Sequence, residues 1–186
     1  MIPARPRYGR IEQLADELLT GTGITAPPVP IEEIVQAKGI IIEIMDLKEV
    51  SGLVVRDGNV TVIGVNRAHP PTRRRFTIAH ELAHALLHEG QEVHYDKDFR
   101  VDFRSATSSL GVDVKEMEAN FFAASILMPR RFLEADPIIA SMDMEEAASA
   151  VKGLANRYKV SQHAMSIRLG NLASRPAARS AVRQAR

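Results

Sequence analysis

Phe76-Thr-Ile-Ala-His80-Glu81-Leu-Ala-His84-Ala-Leu-Leu-His88 is the stretch on which the reading of this chain turns. Its apolar residues recur at helical spacing. Pro70-Pro71-Thr72 stands before it and can open a helix, and Gly90 stands after it as a stop. A helix over 73–88 is therefore expected. Within it lies His-Glu-x-x-His. Two residues four apart on a helix differ by roughly 40° around the axis and about 6 Å along it, so two imidazoles can converge on one ion. His80 and His84 are the candidate metal ligands. Glu81, one step round the helix, stands beside the ion and can act as general base toward an attacking water. A solvent-facing helix that happens to carry two histidines is the competing interpretation, and the amphipathic setting disfavours it.

The chain has 186 residues and no cysteine. That excludes thiolate zinc sites, Fe–S clusters, disulfide scaffolds and cysteine nucleophiles, and it leaves His and carboxylate to hold any metal. A catalytic zinc needs a third protein ligand beyond two histidines. The next helix, expected over 113–128, offers Glu116 and Glu118. At 100° per residue, Asn120, Ala123 and Leu127 fall within about 40° of Glu116, on an apolar face whose alanines allow close approach of another helix. A carboxylate on a packing face is costly without a partner. Glu116 is therefore expected to be the third ligand, with Glu118, nearly opposite and read as solvent-exposed, as the alternative. An ion pair between Glu116 and an arginine of a neighbouring helix is the other possibility. Asn120 is placed to orient a ligand. His88 lies about 12 Å along the axis from His80, too far for both to bind one ion, and is expected to cap the helix end. His94, Tyr95 and Arg104 are candidates to meet a tetrahedral intermediate.

Outward from this centre, Ile11, Leu14, Ala15, Leu18 and Leu19 mark a helix closed by Gly21-Thr-Gly, and Pro27-Pro-Val-Pro30 leads into a short helix at 31–38. Ile40–Ile44 is a strand. Leu53-Val-Val and Val60-Thr-Val-Ile flank Arg56-Asp57-Gly58-Asn59, a hairpin signal. A short strand is expected near 99–103, and further helices at 144–158 and 161–172. The fold class is α+β: a small antiparallel sheet packed on helices, with a C-terminal helical pair. The organisation expected is a basic N-terminal tail at 1–10, a core at 11–136 that carries the His-Glu-x-x-His helix, a helix-turn-helix-like segment at 137–173 and a basic flexible tail at 174–186.

Charge is uneven although the formal net value is only +1. Arg5, Arg7 and Arg10 at one end and Arg175, Arg179, Arg183 and Arg186 at the other lie among no acids, so the body between is acidic. Such tails are expected to be solvated. No apolar run is long enough to span a membrane and the N-terminus lacks a signal-peptide core, so a cytoplasmic location is expected.

The run Arg74–His88, followed by Glu116-Met-Glu-Ala-Asn-Phe-Phe-Ala-Ala-Ser-Ile-Leu-Met-Pro129, resembles the ImmA/IrrE family of zinc metallopeptidases. Pro28-Val-Pro-Ile-Glu-Glu-Ile, Ser51-Gly and Val160–Leu169 extend the resemblance over about residues 10–172. It implies a gluzincin-like core with zinc on His80, His84 and a glutamate of the Glu-x-x-Ala-Asn block, and Glu81 as catalytic acid/base. It also implies a protein substrate, a helix-turn-helix repressor. Residues 154–172 themselves have a helix-turn-helix rhythm, with Ser161 as a cap. Gln162, His163, Ser166 and Arg168 would face a groove, and Lys152, Arg157 and Lys159 would face phosphates. Two amphipathic helices that cover the core or seat a substrate have the same rhythm and are the preferred reading, so a DNA-binding regulator with an inactive core is the alternative function.

Overall fold

A computed structural model of the chain describes residues 5–88, 93–96, 112–141 and 147–174. Helix α1 (Tyr8–Gly21) buries Ile11, Ala15, Leu18 and Leu19, the face its spacing predicts. It begins inside the segment expected to be a solvated tail, because Arg7 at its start is tied down, as shown below. Helix α2 (Ile31–Ala37) follows Pro30 and buries Ile31, Ile34 and Val35. Strands β1 (Ile41–Met45), β2 (Gly52–Asp57) and β3 (Val60–Asn66) come next. β2 and β3 form the expected antiparallel hairpin, in which Asp57 pairs with Val60 across a two-residue turn. Gly58 takes φ +56 there, a conformation glycine adopts without steric cost.

The sheet order is β1-β3-β2-β4. β1 runs parallel to β3, so the sheet is mixed where an antiparallel one was expected. The α+β class stands. The reason is topological: residues 46–51 carry the chain past the position next to β1, and β3 fills that position on its return. Strand β4 (Val93–Asp96) pairs antiparallel with β2, where no strand was expected. A four-residue edge strand needs only ladder bonds to one neighbour and leaves little periodicity to detect. The strand expected at 99–103 lies outside the described residues.

Helix α3 (Pro71–Leu87) has Pro71 in its first turn and buries an unbroken run from Phe76 to His84. It packs on β2 and β3 on one side and on helix α4 (Val112–Leu127) on another. From Glu118 onward nearly every α4 residue is buried. Such a helix, apolar all round, belongs in the centre of a fold. Helix α1 covers a further flank of α4. Two short helices not apparent from periodicity, α5 (Arg130–Glu134) and α6 (Pro137–Ala140), lead to the C-terminal pair α7 (Ala147–Tyr158) and α8 (Gln162–Ser174). Leu154, Ala155, Tyr158, Val160, Ala164 and Met165 of that region join the same buried cluster as α1, α3 and α4. No helix is long and apolar enough to cross a membrane among the described residues.

Candidate metal centre

α3 and α4 cross with their polar residues facing inward. His80 and Glu81 are fully buried and His84 is 1% exposed. Nε2 of His84 lies 3.1 Å from Nε2 of His80. The Glu116 carboxylate of α4 closes the group, Oε2 at 3.2 Å from His80 Nε2 and Oε1 at 3.4 Å from His84 Nε2. Four ligands at roughly 2.0–2.1 Å around a tetrahedral ion lie about 3.3 Å from one another. Those separations are of that size, with the two imidazoles meeting different oxygens of the one carboxylate, and the N,N,O donor set suits a borderline metal. Burial opposes ionisation of Glu116, but hydrogen bonds and charge attraction from His80 and His84 outweigh it and hold its pKa well below the usual carboxylate range.

The expected residues His80, Glu81, His84 and Glu116 are thus brought together, and Asn120 joins them. Its Oδ1 lies 3.1 Å from His80 Nδ1, so it accepts the proton on that nitrogen and leaves Nε2 to face Glu116. Glu81 sits under β2. A Cβ built on Gly52 would stand 2.7 Å from Glu81 Oε1 and closer still to Thr77 Cγ2. Only a residue without a side chain leaves room for the carboxylate there. The flanking Ser51 oxygen accepts from Arg73 Nη2 at 2.9 Å, which ties the start of β2 to the first turns of α3.

Glu118 corrects the expectation of a solvent-exposed side chain. It is 0% exposed and accepts from Arg7 N at 2.8 Å, Arg7 Nε at 2.9 Å and Arg7 Nη2 at 2.7 Å. The helical wheel placed it correctly, on the face away from Glu116. That face is roofed by the start of α1, so the arginine ion pair considered for Glu116 is made by Glu118. Burial alone would raise its pKa, but the Arg7 hydrogen bonds and His88 lower it to about 2. His88 corrects a second expectation. Its side chain does not cap the helix. Nδ1 lies 3.1 Å from His84 Nδ1, and Nε2 lies 3.1 Å from Glu118 Oε2. Burial lowers the His88 pKa, partly offset by Glu118. The capping is done by Arg56 of β2, whose Nη2 donates to the carbonyls of His84 at 2.7 Å and Ala85 at 3.2 Å. A cation at a helix C-terminus meets both free carbonyls and the favourable end of the dipole.

In the C-terminal pair, Ser161 Oγ accepts from Ala164 N at 3.1 Å, the cap that was expected. Lys152, Arg157, Lys159, Gln162, His163 and Ser166 are exposed. Arg168 is not available to a groove. It is 1% exposed, donates to the Met128 carbonyl at 3.0 Å and to Glu12 Oε1 at 3.1 Å, and lies over the Phe121 ring. Its neighbours of opposite charge and free carbonyl lie on α1 and at the end of α4, which no local pattern announces. His94 and Tyr95 fall on β4, opposite Val54 and Leu53 of β2. Arg104 lies outside the described residues.

Comparison with known proteins gives consistent results. A sequence profile of the peptidase family described as the IrrE N-terminal-like domain matches residues 35–170. The radiation response metalloprotease IrrE of Deinococcus radiodurans is 36% identical over 108 residues, which are 56% of this chain and 29% of that protein. The chain therefore spans less than a third of the curated relative it matches. Among solved structures, a transcriptional regulator of Mycobacterium tuberculosis superposes with a TM-score of 0.62 at 22% identity, covering 91% of this chain and 48% of that one. That likeness concerns the fold.

Proposed function

This chain belongs to the peptidase family of IrrE N-terminal-like domains, and from that premise we propose that it is a zinc-dependent endopeptidase that cleaves a helix-turn-helix transcriptional repressor. The observation that carries the reading is the convergence of two buried imidazoles and one carboxylate within reach of a single ion, beside a buried glutamate. His80, His84 and Glu116 would hold the ion. Zinc, when bound, lowers the pKa of a water in its open position to about 7 and polarises a carbonyl. Glu81 takes the proton of the attacking water and returns it to the leaving amine. Gly52 keeps space for that carboxylate against β2, and Asn120 holds His80 by its far nitrogen. A purely structural metal site would need no such buried general base.

The test is incubation of zinc-loaded protein with a candidate helix-turn-helix repressor, followed by mass analysis of fragments. Glu81→Gln should keep its metal and lose cleavage by about 100-fold or more. Undiminished cleavage would exclude this role for Glu81. The alternative, a DNA-binding regulator, draws on the exposed Lys152, Arg157 and Lys159 but loses Arg168 to the interior. It calls for DNA binding that weakens steeply with salt and does not depend on metal.

A further inference from the structure

His88 and Glu118 belong neither to the three converging ligands nor to the acid/base step, yet both are buried and both are connected to the site. We infer that the hydrogen-bonded line Arg7–Glu118–His88 is a positioning device for the ligand His84, through which the docking of the N-terminal segment sets the affinity for metal. The inference rests on the reading that His80, His84 and Glu116 hold an ion.

Proton bookkeeping carries it. Glu118 as a carboxylate has only lone pairs to offer, and Arg7 supplies three donors to it. The remaining contact, 3.1 Å from Oε2 to His88 Nε2, must then use a hydrogen on His88. A neutral His88 protonated at Nε2 has a bare Nδ1, which can only accept. The group opposite, 3.1 Å away, is Nδ1 of His84, which must therefore be the protonated nitrogen of that ring. His84 is left with a bare Nε2, the atom that faces His80 Nε2 and Glu116. One carboxylate thus sets the tautomer of a ligand two side chains away. Asn120 does the equivalent for His80 in a single step.

Burial makes the arrangement hard to replace with water. Glu118 is 0% and His88 5% exposed. Arg7 is the partly open member, its side chain 32% exposed, and it sits at the start of α1. If the segment leaves α4, a buried carboxylate loses three donors, an unfavourable state that the ligand geometry opposes. By linkage, metal binding should in turn hold α1 in place.

The dissociation constant for zinc, from competition with a chelator, decides the matter on the full chain. His88→Leu should weaken binding 10- to 100-fold. His88→Gln, which offers one acceptor and one donor, should recover part of that loss. Arg7→Ala should weaken binding by a smaller factor in the same direction. A merely architectural role would lower the melting temperature of the metal-free protein and leave the dissociation constant unchanged, which would overturn the inference. Nitrogen-15 shifts of the imidazoles in the unaltered zinc-loaded chain give a second readout that needs no variant to fold. The expected pattern is hydrogen on His84 Nδ1 and on His88 Nε2; hydrogen on His88 Nδ1 would contradict it. If the unaltered chain takes up no zinc at all, the metal centre itself fails and this inference falls with it. Uptake that is indifferent to His88→Leu sinks the inference alone.

Discussion

The α3–α4 seam and the docking of α7–α8 on α1 and α4 both bury polar side chains, and they do so to opposite ends. At the seam, His80, His84 and Glu116 turn their lone-pair atoms toward one point, and Asn120 and His88 occupy the far nitrogens of the two rings. At the C-terminal pair, the buried Arg168 is consumed by the Met128 carbonyl, the Glu12 carboxylate and the Phe121 face. Burial of a charged or polar group therefore does not by itself mark a functional site. What marks one is a set of metal-ligating atoms from two separate helices that converge on a single point. An arginine bonded to a main-chain carbonyl and a carboxylate of its own fold is part of the architecture.

Variants can separate the two regions. The largest effect on stability should come from Arg168→Met, which leaves the Met128 carbonyl without its side-chain donor and Glu12 Oε1 with only Arg130 Nε at 3.4 Å. A loss of about 3 kcal/mol is expected, read by denaturant unfolding, with the zinc affinity of the folded fraction unchanged. A fall in affinity as large as that of a ligand variant would erase the distinction between the regions. Gly52→Ala acts on the other side. Its Cβ would press on Glu81 Oε1 and Thr77, so cleavage should fall about 100-fold while metal content holds. Lys152→Ala and Lys159→Ala should each change stability by less than about 0.5 kcal/mol and leave repressor cleavage intact. Lost DNA affinity together with intact cleavage would give the C-terminal pair a function of its own.

Much of the candidate metal centre was legible in the sequence because it is built from local rules. Four-residue spacing on a helix brings His80 and His84 together, and the wheel through Glu116, Asn120 and Ala123 identifies the face of α4 that meets them. The Asp57-Gly58 hairpin follows from turn chemistry in the same way. What escaped depends on partners far along the chain. Arg7 and Glu118 are separated by 111 positions, and Arg168 and Glu12 by 156. A helical wheel gives the direction of Glu118 but not what lies in that direction. One signal was present: α4 is apolar on every side, with Phe121, Phe122, Ile126 and Leu127 spread around it, and such a helix has no solvent face on which a glutamate can rest. The parallel pairing of β1 with β3 likewise depends on the path of residues 46–51, which strand propensity does not encode.

Metal occupancy should also fall on acidification, because protons compete with the ion for imidazole nitrogen, and elemental analysis across a pH series would show it. The most direct trial of the account compares the two glutamates of α4. Zinc content per chain, measured after equilibration with excess zinc and removal of the free ion, should be one for the unaltered protein. It should be close to one for Glu118→Gln and close to zero for Glu116→Ala. Full zinc content in Glu116→Ala would contradict the assignment of that carboxylate as the third ligand.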